Sequence, residues 1–139
     1  MDVPGRRSWV RAMMLAAVAY VVIGIAFAAL DKSADADQVH PWRLAAWAAS
    51  AAVAAAHIGY EHYRLGSSPR PTALHAAGAV ALGAFGLALA ANMHWLFAEA
   101  HGQPAPLLAL PVWPVITAIP AFLGALAVAA VLARFSRHA

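Results

Sequence analysis

One short segment of the sequence carries most of the side chains that could do chemistry. Residues 57–64 read HIGYEHYR, and within them His57 and Glu61 are four positions apart. Residues at that spacing lie on the same face of a helix, so the imidazole and the carboxylate would face the same way. His75 follows one short loop later, at the beginning of the next apolar run. On an antiparallel neighbouring helix it would come within reach of Glu61 and His57.

These three residues are predicted ligands. The chain contains no cysteine, which excludes thiol redox chemistry, cysteine-ligated zinc, iron–sulfur clusters and disulfides. A haem b or a transition metal would have to rely on His, Met, Asn or carboxylate groups. His57 and His75 are the candidate cofactor ligands, and His57, Glu61 and His75 are the candidate metal ligands. A second pair, His40 and His94, is weaker, because His40 precedes a proline and is expected outside the helix.

Two other interpretations of the same residues stay open. Glu61 and Arg64 lie near the end of their apolar run, where charged side chains snorkel to the interface and form ordinary ion pairs. His57 lies deeper, where an ionisable group usually indicates a partner, a cavity or a pathway. Glu61 could also be the coupling carboxylate of a small proton-coupled transporter, although such a group is expected nearer the bilayer midplane.

The elements that position these side chains follow from composition. The chain has 139 residues, of which 63% are hydrophobic and 11% charged, and its mean hydropathy is +0.69. Soluble domains average about 25% charged residues, so this chain is too apolar to be one of them. Four passes of about 20 residues would use nearly the whole chain. We predict an all-α polytopic membrane protein, a compact bundle of four transmembrane helices that forms one domain over residues 1–139.

The apolar runs predict spans at about residues 12–30, 44–62, 72–97 and 112–133. The first run contains no proline, and the second is mostly alanine, so its apolar signal is weaker. Several prolines precede the fourth run and predict an extended beginning, with the helix starting at 112–115. Pro120 is expected to kink that helix.

The distribution of basic residues predicts the orientation. Seven of the nine Lys and Arg residues fall on the side shared by the N-terminus, the second loop and the C-terminus, and only Lys32 and Arg43 fall on the other side. The positive-inside rule then places both termini in the cytoplasm. The small size and the Ala- and Arg-rich composition favour a bacterial cytoplasmic membrane. The basic residues form no continuous face, so no nucleic acid is expected. One alternative is that Arg6-Arg7 begins a twin-arginine export signal cleaved near Ala34-Asp35-Ala36.

Small residues four apart occur in every predicted span, including Gly24 with Ala28 and Ala79 with Gly83. Such faces favour close helix packing within the lipid bilayer, with itself or with another membrane protein. The sequence has no phosphate-binding glycine loop, metalloprotease motif or nucleophile elbow. The first functional hypothesis is therefore a non-enzymatic structural or accessory subunit. A haem- or metal-binding redox protein and a small proton-coupled transporter are the alternatives.

Overall fold

The computed structural model describes residues 4–33, 36–97 and 107–136. Within these ranges the regular structure is entirely helical: α1 covers Pro4–Ser33, α2 Ala36–Tyr63, α3 Pro69–Phe97 and α4 Ala109–Phe135. The four helices pack as a bundle, which confirms the predicted all-α fold. The possible cleavage site at Ala34-Asp35 and the outer loop with Glu99 and His101 lie outside the described residues.

Three of the helices are long and apolar enough to cross a membrane: Ser8–Ser33 within α1, and the whole of α3 and α4. These three helices fit a protein embedded in the bilayer. The remaining helix, α2, is 28 residues long but is less apolar, because its alanine-rich sequence also contains several polar and charged groups. That α2 crosses the membrane stays a prediction.

Two of the expected helix boundaries are wrong. His40 and Pro41 lie inside α2, which begins at Ala36, and α4 begins at Ala109 instead of 112–115. The helices have 27 to 30 residues, or about 40–45 Å at 1.5 Å per residue, and this exceeds a hydrocarbon core of about 30 Å. Their ends therefore reach into the interfacial region. Pro111 falls in the first turn of α4, where a missing N–H costs no hydrogen bond.

Helix α3 lies at the centre of the bundle. It packs most extensively against α4, then against α1, and least against α2. Helix α2 packs mainly on α1 and reaches α3 and α4 over a small area, whereas the described parts of α1 and α4 do not contact each other. The bundle is therefore a row of α1, α3 and α4, with α2 laid against it.

Glycines bring the backbones of α1 and α3 close together. A Cβ atom added at Gly83 would lie 2.7 Å from Cβ of Tyr20 and 3.4 Å from the carbonyl oxygen of Ala17. A Cβ atom at Gly24 would lie 2.5 Å from a methyl group of Leu87. At Gly83 only hydrogen fits, because Cβ of Tyr20 is fixed to the α1 backbone, whereas at Gly24 the neighbour is the flexible end of the Leu87 side chain. The small-residue faces predicted at Gly24 and Gly83 lie in the α1–α3 contact.

The turn between α2 and α3 brings the ends of these helices side by side. Gly66 has a φ of +62°, a left-handed conformation that favours glycine at the end of a helix. The Ser67 amide donates to the Glu61 carbonyl at 3.1 Å, and the Thr72 amide donates to the Ser68 carbonyl at 3.2 Å. These hydrogen bonds end α2 and begin α3, so the last turns of α2 lie beside the first turns of α3.

Candidate functional site

The structure brings together two of the three predicted site residues. Glu61 lies in the last turn of α2 and His75 in the second turn of α3. Nδ1 of His75 is 3.0 Å from Oε1 of Glu61, a hydrogen-bonding distance. We call these two residues the Glu61–His75 pair. The pair links two neighbouring helices at the end of the bundle where α2 ends and α3 begins.

Glu61 is fully buried, with an exposed fraction of 0%, while the His75 side chain is 20% exposed. The interpretation of Glu61 as an interfacial group that snorkels to water therefore does not hold. Its second oxygen, Oε2, has no hydrogen-bond partner among the described residues, and His75 is its only described ion-pair partner. Among the described residues no Lys or Arg pairs with Glu61, so the His75 imidazole is the group placed to compensate its charge.

A third helix supports the pair through an aromatic contact. The Trp9 ring of α1 stacks on the His75 ring, with centroids 4.2 Å apart and planes inclined by 2°. This stacked contact fixes the position of the imidazole beside Glu61 and buries one of its faces. Trp9 is not among the predicted site residues. Its role depends on how α1 aligns with α3, which no local pattern encodes.

His57 lies apart from the pair. It is 6% exposed, and its ring forms a hydrogen bond with the backbone of Ala12 in α1. Its Nε2 has no partner among the described residues. His57 is close enough to Glu61 and His75 to interact with their charges, but it forms no described hydrogen bond with either. The three predicted residues thus form one contacting pair and one separate buried imidazole.

The predicted metal site is not assembled in this arrangement. Within residues 4–33, 36–97 and 107–136, no three His, Cys, Asp or Glu side chains are grouped so as to hold a metal ion. His57, Glu61 and His75 stay predicted ligands, and binding would require His57 to move towards the pair. His40 and His94, the second predicted pair, are both exposed at the opposite end of the bundle.

A groove with a volume of about 540 Å³ runs between α1 and α2 beside His57. Polar residues occur towards one end of it and apolar residues along the rest. It is lined by Ser8, Arg11, Ala12, Leu15, Ala16 and Ala19 of α1 and by Val53, Ala56, His57 and Tyr60 of α2. The groove exists because alanines in both helices leave space that larger side chains would fill.

A second polar contact and an apolar cluster surround this end of the bundle. Nε2 of His62 lies 2.9 Å from Oγ of Ser136, which links the end of α2 to the end of α4. Small residues of α3 and α4 pack around Ile58 of α2, one turn from Glu61. This cluster excludes water from one side of the Glu61–His75 pair.

Comparison with known protein families, curated proteins and solved structures finds no match to this chain. The chemistry of its own residues is therefore the basis for function. That chemistry centres on a buried carboxylate that lies at hydrogen-bonding distance from an imidazole of the neighbouring helix.

Proposed function

We propose that this protein is a non-enzymatic accessory subunit of the bacterial cytoplasmic membrane, and that its working site is the Glu61–His75 pair, which binds and releases a proton. The observation that supports this is the complete burial of Glu61 with an imidazole as its only described ionisable partner. Histidine is the side chain whose charge changes near neutral pH. Each proton gained or lost changes the charge held between α1, α2 and α3.

The surroundings of the pair favour a response of helix packing to this charge. Trp9 contacts His75 from α1, and Ile58 packs beside Glu61 against α3 and α4. Charge in a low-dielectric site interacts strongly with its neighbours, so a change of one unit alters the free energy of these contacts. In this way a change in local pH would alter the packing of the accessory subunit against the proteins around it.

Proton uptake by the protein in lipid vesicles tests the site. Between about pH 8 and about pH 5, where histidines titrate, we expect the wild type to take up roughly one proton per chain more than a Glu61→Leu/His75→Leu variant, which lacks both groups of the pair. A pH-indicator dye measures this uptake. Asp31→Asn is the matched control, since Asp31 pairs with Arg43 at the other end of α1. Equal uptake by the wild type and the double variant would exclude the pair as a proton site.

The proposed orientation places both termini in the cytoplasm, and it rests on the distribution of basic residues. Because the chain has no cysteine, single cysteines can report it without removing a native one. In intact cells, a membrane-impermeant maleimide should label Ser33→Cys, at the end of α1. It should label Ser68→Cys, between α2 and α3, only once the cells are opened. Labelling of both positions from the same side would show that α2 does not cross the membrane.

The small proton-coupled transporter is the second candidate. It is favoured by two buried polar atoms of α2 that have no hydrogen-bond partner among the described residues, Oε2 of Glu61 and Nε2 of His57, which are potential binding atoms for a proton or a cation. The two candidate functions predict different proton flux in vesicles that carry a pH gradient. A transporter moves protons or substrate across the bilayer and loses this activity in Glu61→Gln, whereas an accessory subunit binds protons without net flux.

A further inference from the structure

The groove between α1 and α2 is polar at one end and apolar along its length. Ser8, Arg11 and Tyr60 lie at the end of the bundle where α1 begins and α2 ends, and Leu15 and Val53 lie deeper. Between Ser8 and Ala19, α1 rises about 16 Å at 1.5 Å per residue. This order of polar and apolar groups is also that of an amphiphile in one leaflet, whose head group stays at the interface while its chain points towards the bilayer centre.

Arg11 gives the polar end a positive charge. A guanidinium is always charged, and its planar set of donors matches a carboxylate or phosphate group. Arg11 is exposed and forms no salt bridge with an acidic side chain of the described residues. The polar end therefore complements an anionic group.

His57 provides an independent sign of a ligand. It lines the groove, it is 6% exposed, and its Nε2 has no hydrogen-bond partner in the described part of the chain. A buried polar atom without a partner is costly, and structures normally satisfy it with protein, water or ligand. Together, Arg11 and His57 could contact an anionic head group and a polar atom just below it.

We propose that this groove binds one anionic lipid-type amphiphile, with its phosphate or carboxylate head group at Arg11, a polar linker oxygen near His57 and a single acyl chain along the alanines of α1 and α2. The volume of about 540 Å³ lies within the range of about 300–1,000 Å³ typical of small-molecule sites. The site is distinct from the Glu61–His75 pair and does not depend on the proposed function.

The test is native mass spectrometry of the full chain in neutral detergent, with lysophosphatidylglycerol and lysophosphatidylcholine of the same chain length as probes. We expect one bound lysophosphatidylglycerol per chain, and weaker retention of the zwitterionic probe. Arg11→Gln should weaken binding by about tenfold or more, because a hydrogen bond to a charged group is lost. Arg64→Gln, which removes a charge beyond the groove at the end of α2, should leave binding unchanged.

A second pair of variants tests the acyl chain. Ala56 and Ala55 are both exposed neighbours on α2, but only Ala56 lines the groove. Ala56→Leu should abolish retention of lysophosphatidylglycerol, and Ala55→Leu should preserve it. Because both alanines are exposed, neither variant disturbs packing within the bundle. Equal retention of the two head groups, or equal binding by Ala56→Leu and Ala55→Leu, would overturn the proposal. Displacement of the probe by inorganic phosphate would show a free anion as the ligand, and would also overturn it.

Discussion

Replacement of His75 by leucine is expected to lower the free energy of unfolding by roughly 3 kcal/mol. The change leaves Glu61 fully buried without its described partner, and removing one member of a buried ion pair costs about 3–5 kcal/mol when the other stays charged. Protonation of Glu61 limits the loss, which is why the lower end applies. Loss of the stacking contact with Trp9 adds to it. Unfolding in mixed micelles of increasing denaturing detergent measures the change.

The double variant Glu61→Leu/His75→Leu is the critical control. Replacing both members of a buried polar pair with apolar groups of similar size is often neutral or stabilising. We therefore expect the double variant to be more stable than His75→Leu alone. His94→Leu changes an exposed histidine of the same helix and should have little effect. A double variant less stable than His75→Leu would mean that the Glu61–His75 contact does not determine the stability of this end of the bundle.

Gly83→Leu should separate α1 from α3 and destabilise the bundle by more than about 2 kcal/mol. An added Cβ would lie 2.7 Å from Cβ of Tyr20, an atom fixed to the α1 backbone, so the helices must move apart to relieve the overlap. Helix association in lipid depends on close packing, and separation loses those contacts over the whole interface. The same unfolding assay measures the loss, and a disulfide between cysteines introduced in α1 and α3 reports the separation.

Gly124→Leu is the matched control for this prediction. Gly124 lies in α4, and an added Cβ there would meet no atom within 4 Å. The substitution therefore adds side-chain volume to a helix without an overlap inside the bundle. We expect stability close to that of the wild type. If Gly124→Leu and Gly83→Leu were equally destabilising, the cost would come from the helix itself and not from the α1–α3 contact.

The fold and the contact between Glu61 and His75 could be predicted from the sequence. Long apolar runs indicate membrane helices whatever their neighbours, so the four-helix bundle followed from composition and run length. The Glu61–His75 contact was predictable because only a short turn separates the two helices. Glu61 and His75 lie near the two ends of that turn, so antiparallel packing brings them together.

The rest depends on how helices distant in sequence align. Trp9 meets His75 through the alignment of α1 with α3, two helices that approach closely at Gly83. The separation of His57 from the pair depends on the rotation of α2, and the groove depends on the distance between α1 and α2. The hydrophobic pattern does not specify these quantities, because in a chain so rich in alanine nearly every helix face is apolar.

The row of α1, α3 and α4 also has a consequence for biosynthesis. The main partner of α1 in this row is α3, yet α2 lies between them in the chain. During synthesis α1 and α2 emerge first, so the face of α1 around Gly24 lacks its partner until α3 has been made. Helix α3 then packs against α4 through the most extensive contact of the bundle, so these two helices form a second hairpin. Assembly is therefore the docking of two hairpins, and until it occurs the nascent first hairpin exposes the surface on which α3 will pack.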